Sequence, residues 1–182
     1  MGKLYQSIDG RLREWLLAQP MFVVATAPSE GGHVNASPKG MAGTFVVMDP
    51  TTVAYLDYTG SGAETIAHLR DNGRITLMFN AFEGPPQIVR LQGSGRTVLV
   101  GTPEFDELRP LFAKERVVGQ RAIVVVTCDR IADSCGFSVP LMEYAGDRDL
   151  LDRAQSRRDD TYYERYWAER NATSIDGLPA IG

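Results

Sequence analysis

The sequence predicts a mainly β protein, a small antiparallel barrel with helices around its periphery. At least six segments have the alternating or mostly apolar composition of strands, and several are joined by short turns that contain glycine and proline. One amphipathic segment precedes the strands, one helical segment lies among them, and one or two follow. Short turns join antiparallel neighbours, so this order favours an antiparallel barrel with peripheral helices.

Length and charge set limits on the function. A chain of 182 residues suits one domain, or one domain with appended helices. The formal net charge of −4 argues against broad electrostatic binding to nucleic acid. Four arginines of the central third could still supply a local basic pocket. They are Arg70, Arg74, Arg90 and Arg96.

Targeting and metal signals are absent from the sequence. No apolar run approaches the roughly 20 residues that a membrane-spanning helix needs, and residues 1–6 lead into a polar helix instead of a signal-peptide core. A cytoplasmic protein is therefore expected. Two cysteines, Cys128 and Cys135, are too few and too far apart for a paired zinc site, so no metal site is predicted. Asn171 begins a glycosylation sequon, which has no consequence without a secretory signal.

The first helix is predicted over residues 7–19, where apolar side chains recur at i, i+4, i+7 and i+8. These side chains are Ile8, Leu12, Trp15 and Leu16. Pro20 ends the helix. Strands are then predicted over 21–26, 33–37, 44–48 and 53–58, and turn residues such as those of 28–32 separate them.

The strand over 33–37 has one apolar face and one face that can form hydrogen bonds. Asn35 and Ser37 share the second face, because side chains alternate along a strand. That face is either the wet side of an ordinary sheet or the wall of a ligand site. In the second case a turn over 38–40 would let Lys39 reach an anion.

The corner between strand 53–58 and the next helix is the predicted ligand site. Ser61 and Glu64 have the spacing of a capping box, so the helix is expected to begin at Ser61 and run to about Asp71. A helix start that follows glycines offers free N–H groups and a positive dipole end, which suit a phosphate. The same residues also fit a cap without a ligand, because Glu64 would occupy a donor. His68, inside this helix, is expected to be structural.

Strands continue in the second half of the chain. They are predicted over 74–80, 88–92, 96–100 and 122–127, and an irregular extended segment follows over 133–140. Gly93-Ser94-Gly95 has strand-like flanks, so a bulge or barrel corner is predicted there and not a phosphate loop. A short helix is expected from Thr102 to about Leu108.

The last part of the chain is predicted to be helical from Asp149 to about Arg170. An aromatic cluster in this helix is expected to cover the barrel, a partner subunit or a cofactor ring. It consists of Tyr162, Tyr163, Tyr166 and Trp167. Residues 171–182 lack periodicity, so an extended tail is expected.

Four short segments carry a resemblance to a known family. They are Val34-Asn35-Ala36-Ser37-Pro38-Lys39-Gly40, Tyr55-Leu56-Asp57-Tyr58-Thr59-Gly60-Ser61-Gly62, Phe82-Glu83-Gly84-Pro85-Pro86 with Arg90-Leu91-Gln92-Gly93, and Ser134-Cys135-Gly136-Phe137-Ser138-Val139-Pro140. Together they resemble the pyridoxamine 5′-phosphate oxidase-like, FMN-binding split-barrel proteins. The resemblance covers roughly Trp15 to Pro140 and is to an uncharacterised branch.

The resemblance implies a six- to seven-stranded antiparallel split β-barrel, mainly β (α+β), that forms a homodimer with FMN at the subunit interface. An FMN-binding domain would span 1–146, and a C-terminal helix and extended tail over 147–182 would pack on the barrel or the dimer partner. The phosphate is expected near the strand–helix corner, and the ring against the early strands. The implied cofactor-binding residues are Asn35, Ser37, Pro38, Lys39, Tyr58, Thr59, Gly60, Ser61, Thr65 and Arg90.

The sequence departs from the true pyridoxamine 5′-phosphate oxidases in the same segments. Ala63-Glu64-Thr65 stands where they have Ser-Arg-Lys, so two phosphate-binding cations are absent. Gln87-Ile88-Val89-Arg90 stands for Arg-Gln-Val-Arg and keeps the second arginine. Their C-terminal tryptophan and arginine motif has no clear counterpart. Vitamin B6 oxidation is therefore not expected. Hydroxyls, backbone N–H groups and a cation such as Lys39, Arg90 or Arg96 would hold the phosphate.

The leading functional hypothesis is an FMN-dependent oxidoreductase that acts on an unknown small molecule. In such a protein the cofactor carries the chemistry and the polypeptide positions its ring, so no catalytic residue is named. One alternative is a deazaflavin (F420)-dependent reductase of the same fold, which would need a basic groove for the longer cofactor tail. The other is a non-catalytic module that binds flavin or haem. No nucleic-acid or membrane partner is expected.

Overall fold

Eight strands form one antiparallel sheet in the computed structural model, which describes residues 2–181. The strands are β1 (Leu4–Tyr5), β2 (Met21–Thr26), β3 (Asn35–Gly40), β4 (Phe45–Val47), β5 (Thr52–Tyr58), β6 (Arg74–Asn80), β7 (Ile88–Leu99) and β8 (Gln120–Ser134). Their order is β3-β2-β6-β7-β8-β5-β4, and β1 pairs with β8. The expected mainly β, antiparallel split barrel is confirmed, and the sheet has eight strands where six to seven were expected, the two-residue β1 among them.

Side chains, and not a backbone ladder, join the edge strand β3 to β5 and to the residues that follow β5. Among the described strands, β3 pairs with β2 alone and β4 pairs with β5 alone. Lys39 Nζ of β3 donates to Asp57 Oδ1 of β5 at 2.9 Å. Asn35 Nδ2 of β3 donates to Thr65 Oγ1 at 3.1 Å. We call this gap between β3 and the segment 57–65 the seam, and it is the split of the barrel.

Within residues 2–181, five α-helices lie around the sheet. They are α1 (Gly10–Ala18), α2 (Glu64–Asp71), α3 (Pro103–Leu108), α4 (Leu150–Gln155) and α5 (Asp160–Arg170), with a 3₁₀ turn over Arg109–Leu111. The helical region expected to be continuous over 149–170 is divided, because the Asp159 side chain accepts from the Tyr162 N–H and starts α5 anew. No helix in the described part of the chain is long and apolar enough to cross a membrane.

The main core lies on the inner face of the sheet, where four aromatic rings pack with centroids 5.0–5.5 Å apart. The rings belong to Phe22, Phe45, Tyr55 and Phe79. Leu12 and Leu16 of α1 cover them. A separate cluster joins Ala63 and Ile66 to Ala180. The N-terminal part of α2 therefore shares a buried surface with the C-terminal tail.

A bulge bends β7 where the sequence predicts one. β7 is continuous over Ile88–Leu99, and its register with β8 shifts between Gln92 and Gly93. A Cβ atom at Gly93 would lie 2.0 Å from the Thr127 carbonyl oxygen. Only glycine therefore allows β8 to approach β7 this closely at the bulge.

Two segments differ from their expected conformations. β3 does not turn at Pro38 but pairs with β2 as far as Gly40. A proline is tolerated there because β3 is an edge strand. The tail folds back instead of extending, since the Ser174 N–H donates to the Leu178 carbonyl at 2.8 Å and Ala180 is buried. Residue 182, the last of the expected tail, lies outside the described residues.

Candidate functional site

The loop between β5 and α2 presents backbone donors without partners. We call residues 59–63 the corner loop. Gly60, Ser61 and Gly62 are exposed, and the N–H groups of residues 60–63 donate to no acceptor in the described part of the chain. The positive end of the α2 dipole adjoins the loop. The corner loop thus has the donors that an anion requires.

The capping box expected at Ser61 does not form. α2 begins at Glu64, and Ala63 before it supplies no side-chain cap. The Glu64 carboxylate instead accepts from the Ile175 N–H at 3.1 Å. Because the C-terminal tail takes this carboxylate, Ser61 stays exposed and outside the helix.

A buried ion cluster adjoins the corner loop. The Asp57 side chain, 1% exposed, accepts from Arg121 Nε at 2.6 Å and from Lys39 Nζ at 2.9 Å. Arg121 also donates to the Gly62 carbonyl at 2.8 Å. One carboxylate with two cations leaves one net positive charge, which favours an anion at the loop.

The ion cluster fixes the protonation of its acidic groups. Burial alone would raise the pKa of Asp57, but the charges of Arg121 and Lys39 outweigh burial and lower the pKa to about 2. Burial raises the pKa of Tyr55 well above its usual value, and the charge of Asp57 adds to that rise. Near neutral pH, Asp57 is therefore ionised and Tyr55 keeps its proton.

A network of polar side chains fills the other end of the seam. Asn35 Nδ2 donates to the hydroxyls of Thr26 at 3.2 Å and Thr65 at 3.1 Å, and Asn35 Oδ1 accepts from Ser37 at 2.9 Å. Thr26 Oγ1 lies 2.9 Å from Nδ1 of His68, which is fully buried. His68 Nε2 has no partner among the described residues. The network joins β3 to α2, and His68 contributes to it as a structural residue.

Three side chains of the C-terminal segment bind the corner loop. Gln155 Nε2 donates to the Thr59 carbonyl at 3.0 Å. Trp167 Nε1 donates to Thr59 Oγ1 at 2.9 Å. Asn171 Nδ2 donates to the Gly60 carbonyl at 3.2 Å. The C-terminal segment therefore fixes the position of Thr59 and Gly60 in the corner loop.

Sequence reasoning misses Arg121, Gln155 and Asn171. Their contacts join residues 50 to 111 positions apart, so no local spacing encodes them. The only local signals are the aromatic cluster that contains Trp167 and the sequon at Asn171. Asn171 is fully buried, and its Oδ1 accepts from Arg121 at 3.0 Å. The sequon is therefore inaccessible in the folded protein.

The tail after α5 connects α2 to the β2–β3 turn. The Asp176 carboxylate accepts from the His33 N–H at 2.8 Å and lies 2.7 Å from His33 Nδ1. This hydrogen bond raises the pKa of His33 and lowers that of Asp176. Arg70 donates to the Ala180 carbonyl. These contacts keep the C-terminal segment beside the corner loop.

Seven of the ten implied cofactor-binding residues lie around the corner loop and the seam. They are Asn35, Ser37, Lys39, Thr59, Gly60, Ser61 and Thr65. Lys39 does not extend from a turn, because it is paired with Asp57 across the seam. Pro38 is exposed on the opposite face of β3. Tyr58 faces the other side of β5, where its hydroxyl donates to the Arg116 carbonyl at 2.9 Å.

Arg90 lies away from the corner loop within this chain, and Arg96 is engaged by an acidic side chain. Asp57 pairs with Ala122 of β8, and Ala122 pairs with Leu99 of β7. Arg90 is nine residues from Leu99, which corresponds to about 30 Å along a strand. Arg90 donates to Ser134 Oγ at 3.0 Å. Arg96 forms an ion pair with Glu104 at 2.5 Å. The positive charge near the corner loop therefore comes from the ion cluster.

A separate cleft of about 2000 Å³ opens between α1 and the segment 142–151. Phe22, Phe45 and Phe79 line its inner end. No residue of the corner loop borders it. Its size exceeds that of an ordinary small-molecule pocket, so it is an open groove on the barrel. In the described part of the chain, no group of three or more histidine, cysteine, aspartate or glutamate residues could hold a metal ion.

Comparison with known sequences identifies relatives over most of the chain. A family model described as pyridoxamine 5′-phosphate oxidase matches residues 8–135. A protein of Aspergillus flavus, pyridoxamine 5′-phosphate oxidase family protein ustO, is 36% identical over 198 residues, which cover 100% of this chain and 78% of that protein. α4, α5 and the tail lie outside the family match but inside the alignment with the A. flavus protein.

Two solved structures share the fold at low sequence identity. HupZ of Group A Streptococcus has a TM-score of 0.55 and 22% identity, with 68% of this chain and 91% of HupZ covered. A putative pyridoxamine 5′-phosphate oxidase of Corynebacterium glutamicum has a TM-score of 0.50 and 12% identity, with 73% of this chain and 96% of that chain covered. At these identities the likeness concerns the fold alone.

Proposed function

The chain belongs to the pyridoxamine 5′-phosphate oxidase family, and from that premise we propose that it binds FMN and acts as an FMN-dependent oxidoreductase on a small molecule. The observation that carries this proposal is the corner loop, whose unpartnered N–H groups lie beside an ion cluster with one net positive charge. This donor set suits the terminal phosphate of the cofactor.

The residues at the corner loop fit a phosphate monoester. Ser61 adds an exposed hydroxyl to the backbone donors. The Lys39 side chain is 21% exposed, so it is the more accessible cation of the ion cluster. Glu64, the acidic residue of the first turn of α2, is engaged by the Ile175 N–H. Backbone donors and one shared charge thus replace the two cations that the true oxidases have here.

Residues of β3 would hold the remainder of the cofactor. β3 has one strand partner in the described chain, so the backbone groups of its outer edge are available. Asn35 is held in place by Thr65 and Ser37. When bound, the flavin would supply hydride or electron transfer. The role of the polypeptide would be to bind the cofactor, orient it and exclude water.

We propose a substrate other than pyridoxamine 5′-phosphate. That substrate carries its own phosphate, which would need a second set of cations. Arg90 and Arg96, which the sequence offered as cations for the cofactor phosphate, are bound to Ser134 and Glu104 instead. The chain therefore has the donors for one phosphate at the corner loop, that of the cofactor.

Titration of the purified chain with flavins tests the proposal. We expect quenching of FMN fluorescence on binding, and weaker binding of riboflavin, which lacks the phosphate. Mass analysis of what the protein releases would identify a copurified cofactor. A protein that neither contains nor binds any flavin would refute the proposal. Binding of F420 without FMN would favour the deazaflavin alternative, and a bound flavin that NADH, NADPH and a coupled reductase all fail to reduce would favour a non-catalytic module.

We also propose a homodimer, with the cofactor at the subunit interface. The segment 135–149 contains no helix or strand and exposes four large apolar side chains, 52–83% accessible. They are Phe137, Leu141, Met142 and Tyr144. Met142 and Tyr144 also line the cleft beside α1, so the exposed apolar surface continues into it. A second copy of the chain would remove this surface from water.

Phe137→Asp is expected to shift the dimer towards monomer, because the carboxylate would lose its hydration in an apolar interface. Sedimentation at several protein concentrations measures the shift. Leu111→Asp is a matched control, since Leu111 is apolar, 50% exposed and on the 3₁₀ turn over Arg109–Leu111, outside both the segment 135–149 and β3. A dimer that tolerates Phe137→Asp has its interface elsewhere, and a wild type that remains monomeric refutes the homodimer.

A further inference from the structure

Side chains from elsewhere in the chain bind three carbonyl groups of the corner loop. The carbonyl groups of Thr59, Gly60 and Gly62 each accept one side-chain hydrogen bond. The donors, in the same order, are Gln155, Asn171 and Arg121. Asn171 also holds Arg121, because its Oδ1 accepts from the same guanidinium group at 3.0 Å. The C-terminal segment therefore controls all three carbonyls, two directly and one through Arg121.

Peptide planarity converts these contacts into an orientation of the N–H groups. In a trans peptide, the carbonyl of one residue and the N–H of the next point in opposite directions. The described residues contain no cis peptide bond. The N–H groups of Gly60, Ser61 and Ala63 must then point away from the side chains that hold the carbonyls. The exposed residues Gly60 and Ser61 thereby present two donors on the open side of the loop, an arrangement that binds anions.

The hydrogen bond from Trp167 determines that the Thr59 hydroxyl is an acceptor towards Trp167. An indole N–H can only donate, so Thr59 Oγ1 is the acceptor in the 2.9 Å bond from Trp167. The single proton of the Thr59 hydroxyl therefore remains available. No acceptor for it is present in the described part of the chain. Trp167 thus leaves Thr59 as a hydrogen-bond donor at the edge of the corner loop.

We propose that Gln155, Trp167 and Asn171 are positioning residues that make the corner loop selective for a phosphate monoester, and so for FMN over unphosphorylated flavins. This role rests on the proposed flavin function. It assigns a function to α4, α5 and the tail, which lie outside the family match. If these three side chains only stabilised the fold, their removal would weaken the binding of all flavins equally. Selectivity for the phosphate separates the two roles.

Trp167→Phe tests the proposal, because it keeps an aromatic ring in place and removes the indole N–H. We expect its affinity for FMN to fall about three- to tenfold, the effect of one hydrogen bond, while its affinity for riboflavin and its melting temperature stay near those of the wild type. Tyr166→Phe is the matched control. Tyr166 is the preceding residue of α5, and its ring stacks on Tyr162 instead of reaching the corner loop.

A double variant checks that the effect passes through Thr59. Thr59→Val alone should weaken FMN binding, and adding Trp167→Phe to it should cause little further loss, because both changes remove the same interaction. The wild type is expected to prefer FMN to riboflavin. If Trp167→Phe then weakens the binding of both flavins equally, or of neither, the positioning role is overturned. Additive losses would also overturn it.

Inorganic phosphate provides a test that does not depend on flavin. In amide NMR spectra, phosphate should shift the signals of Gly60 and Ser61 in the wild type, and shift them less in Trp167→Phe. If the wild type binds no flavin but shows these shifts, the proposed function fails and the positioning role stands. If phosphate shifts none of these signals, the positioning role is refuted.

Discussion

Asp57→Asn is expected to lower the free energy of unfolding by about 3–5 kcal/mol, the usual cost of removing one partner from a buried ion pair. The neutral side chain would leave Arg121 and Lys39 facing each other, and Arg121 is only 5% exposed. It would also weaken the seam, which Lys39 and Asp57 close. We therefore expect this single change to be among the most destabilising in the chain.

Denaturant unfolding of the purified variant measures this loss. Asp149→Asn is a matched control, because Asp149 pairs with Arg153 at 2.9 Å on the surface and is 68% exposed. The control should change stability by less than about 1 kcal/mol. A similar small loss for Asp57→Asn would mean that the cations of the ion cluster are well solvated, contrary to the structure.

The same carboxylate predicts how stability depends on acid. The pKa of Asp57 is about 2 in the folded protein, below the ordinary value of 3.8. A group with a lowered pKa stabilises the fold above its ordinary pKa, and the stabilisation is lost as the pH falls towards the folded value. We expect the wild type to lose this contribution between about pH 4 and 2. Asp57→Asn should lack that part of the acid dependence.

Gly93→Ala is expected to destabilise the protein by about 3 kcal/mol, at the upper end of the penalties for overpacking. The new methyl group would lie 2.0 Å from the Thr127 carbonyl oxygen and 3.0 Å from the Cys128 Cα. Both atoms belong to the backbone of β8, so no side-chain rotation can relieve the contact. Strands β7 and β8 would have to separate at the bulge.

Thermal and denaturant unfolding check this prediction, with Gly10→Ala as the control. Gly10 is the first residue of α1, and a Cβ atom there would meet nothing within 4 Å. Alanine favours helix by up to about 1 kcal/mol over glycine, so the control should be neutral or stabilising. A loss below about 1 kcal/mol in Gly93→Ala would show that the two strands can move apart at little cost.

The strands could be predicted because their signals are local. Alternation and turn residues give the bounds of β2 and β6 residue for residue. The glycines at 93–95 indicate a bulge because strand-like residues flank them on both sides. The tail is different, since its folded course depends on contacts with α2 that its own composition does not encode.

The corner between β5 and α2 could be predicted from the sequence, but the contacts around it could not. A capping box depends on residues three positions apart, whereas the partner that Glu64 takes in the structure is 111 positions away. Lys39 was expected to extend from a turn, but the carboxylate of Asp57 attracts it across the seam. Arg121 precedes the apolar strand predicted over 122–127, and a charged residue at such a position is ordinarily exposed. Only the fold brings these charges together.

The corner loop is completed late in the synthesis of the chain. Trp167 and Asn171 follow their partners Thr59 and Gly60 by 108 and 111 positions. The ribosome has therefore made the whole sheet, which ends at Ser134, before it makes the side chains that orient the loop. A nascent chain interrupted after β8 would contain every strand, but its loop peptides would be free to turn. Capture of a phosphate is thus expected to follow the synthesis of α5 and not to guide the folding of the barrel.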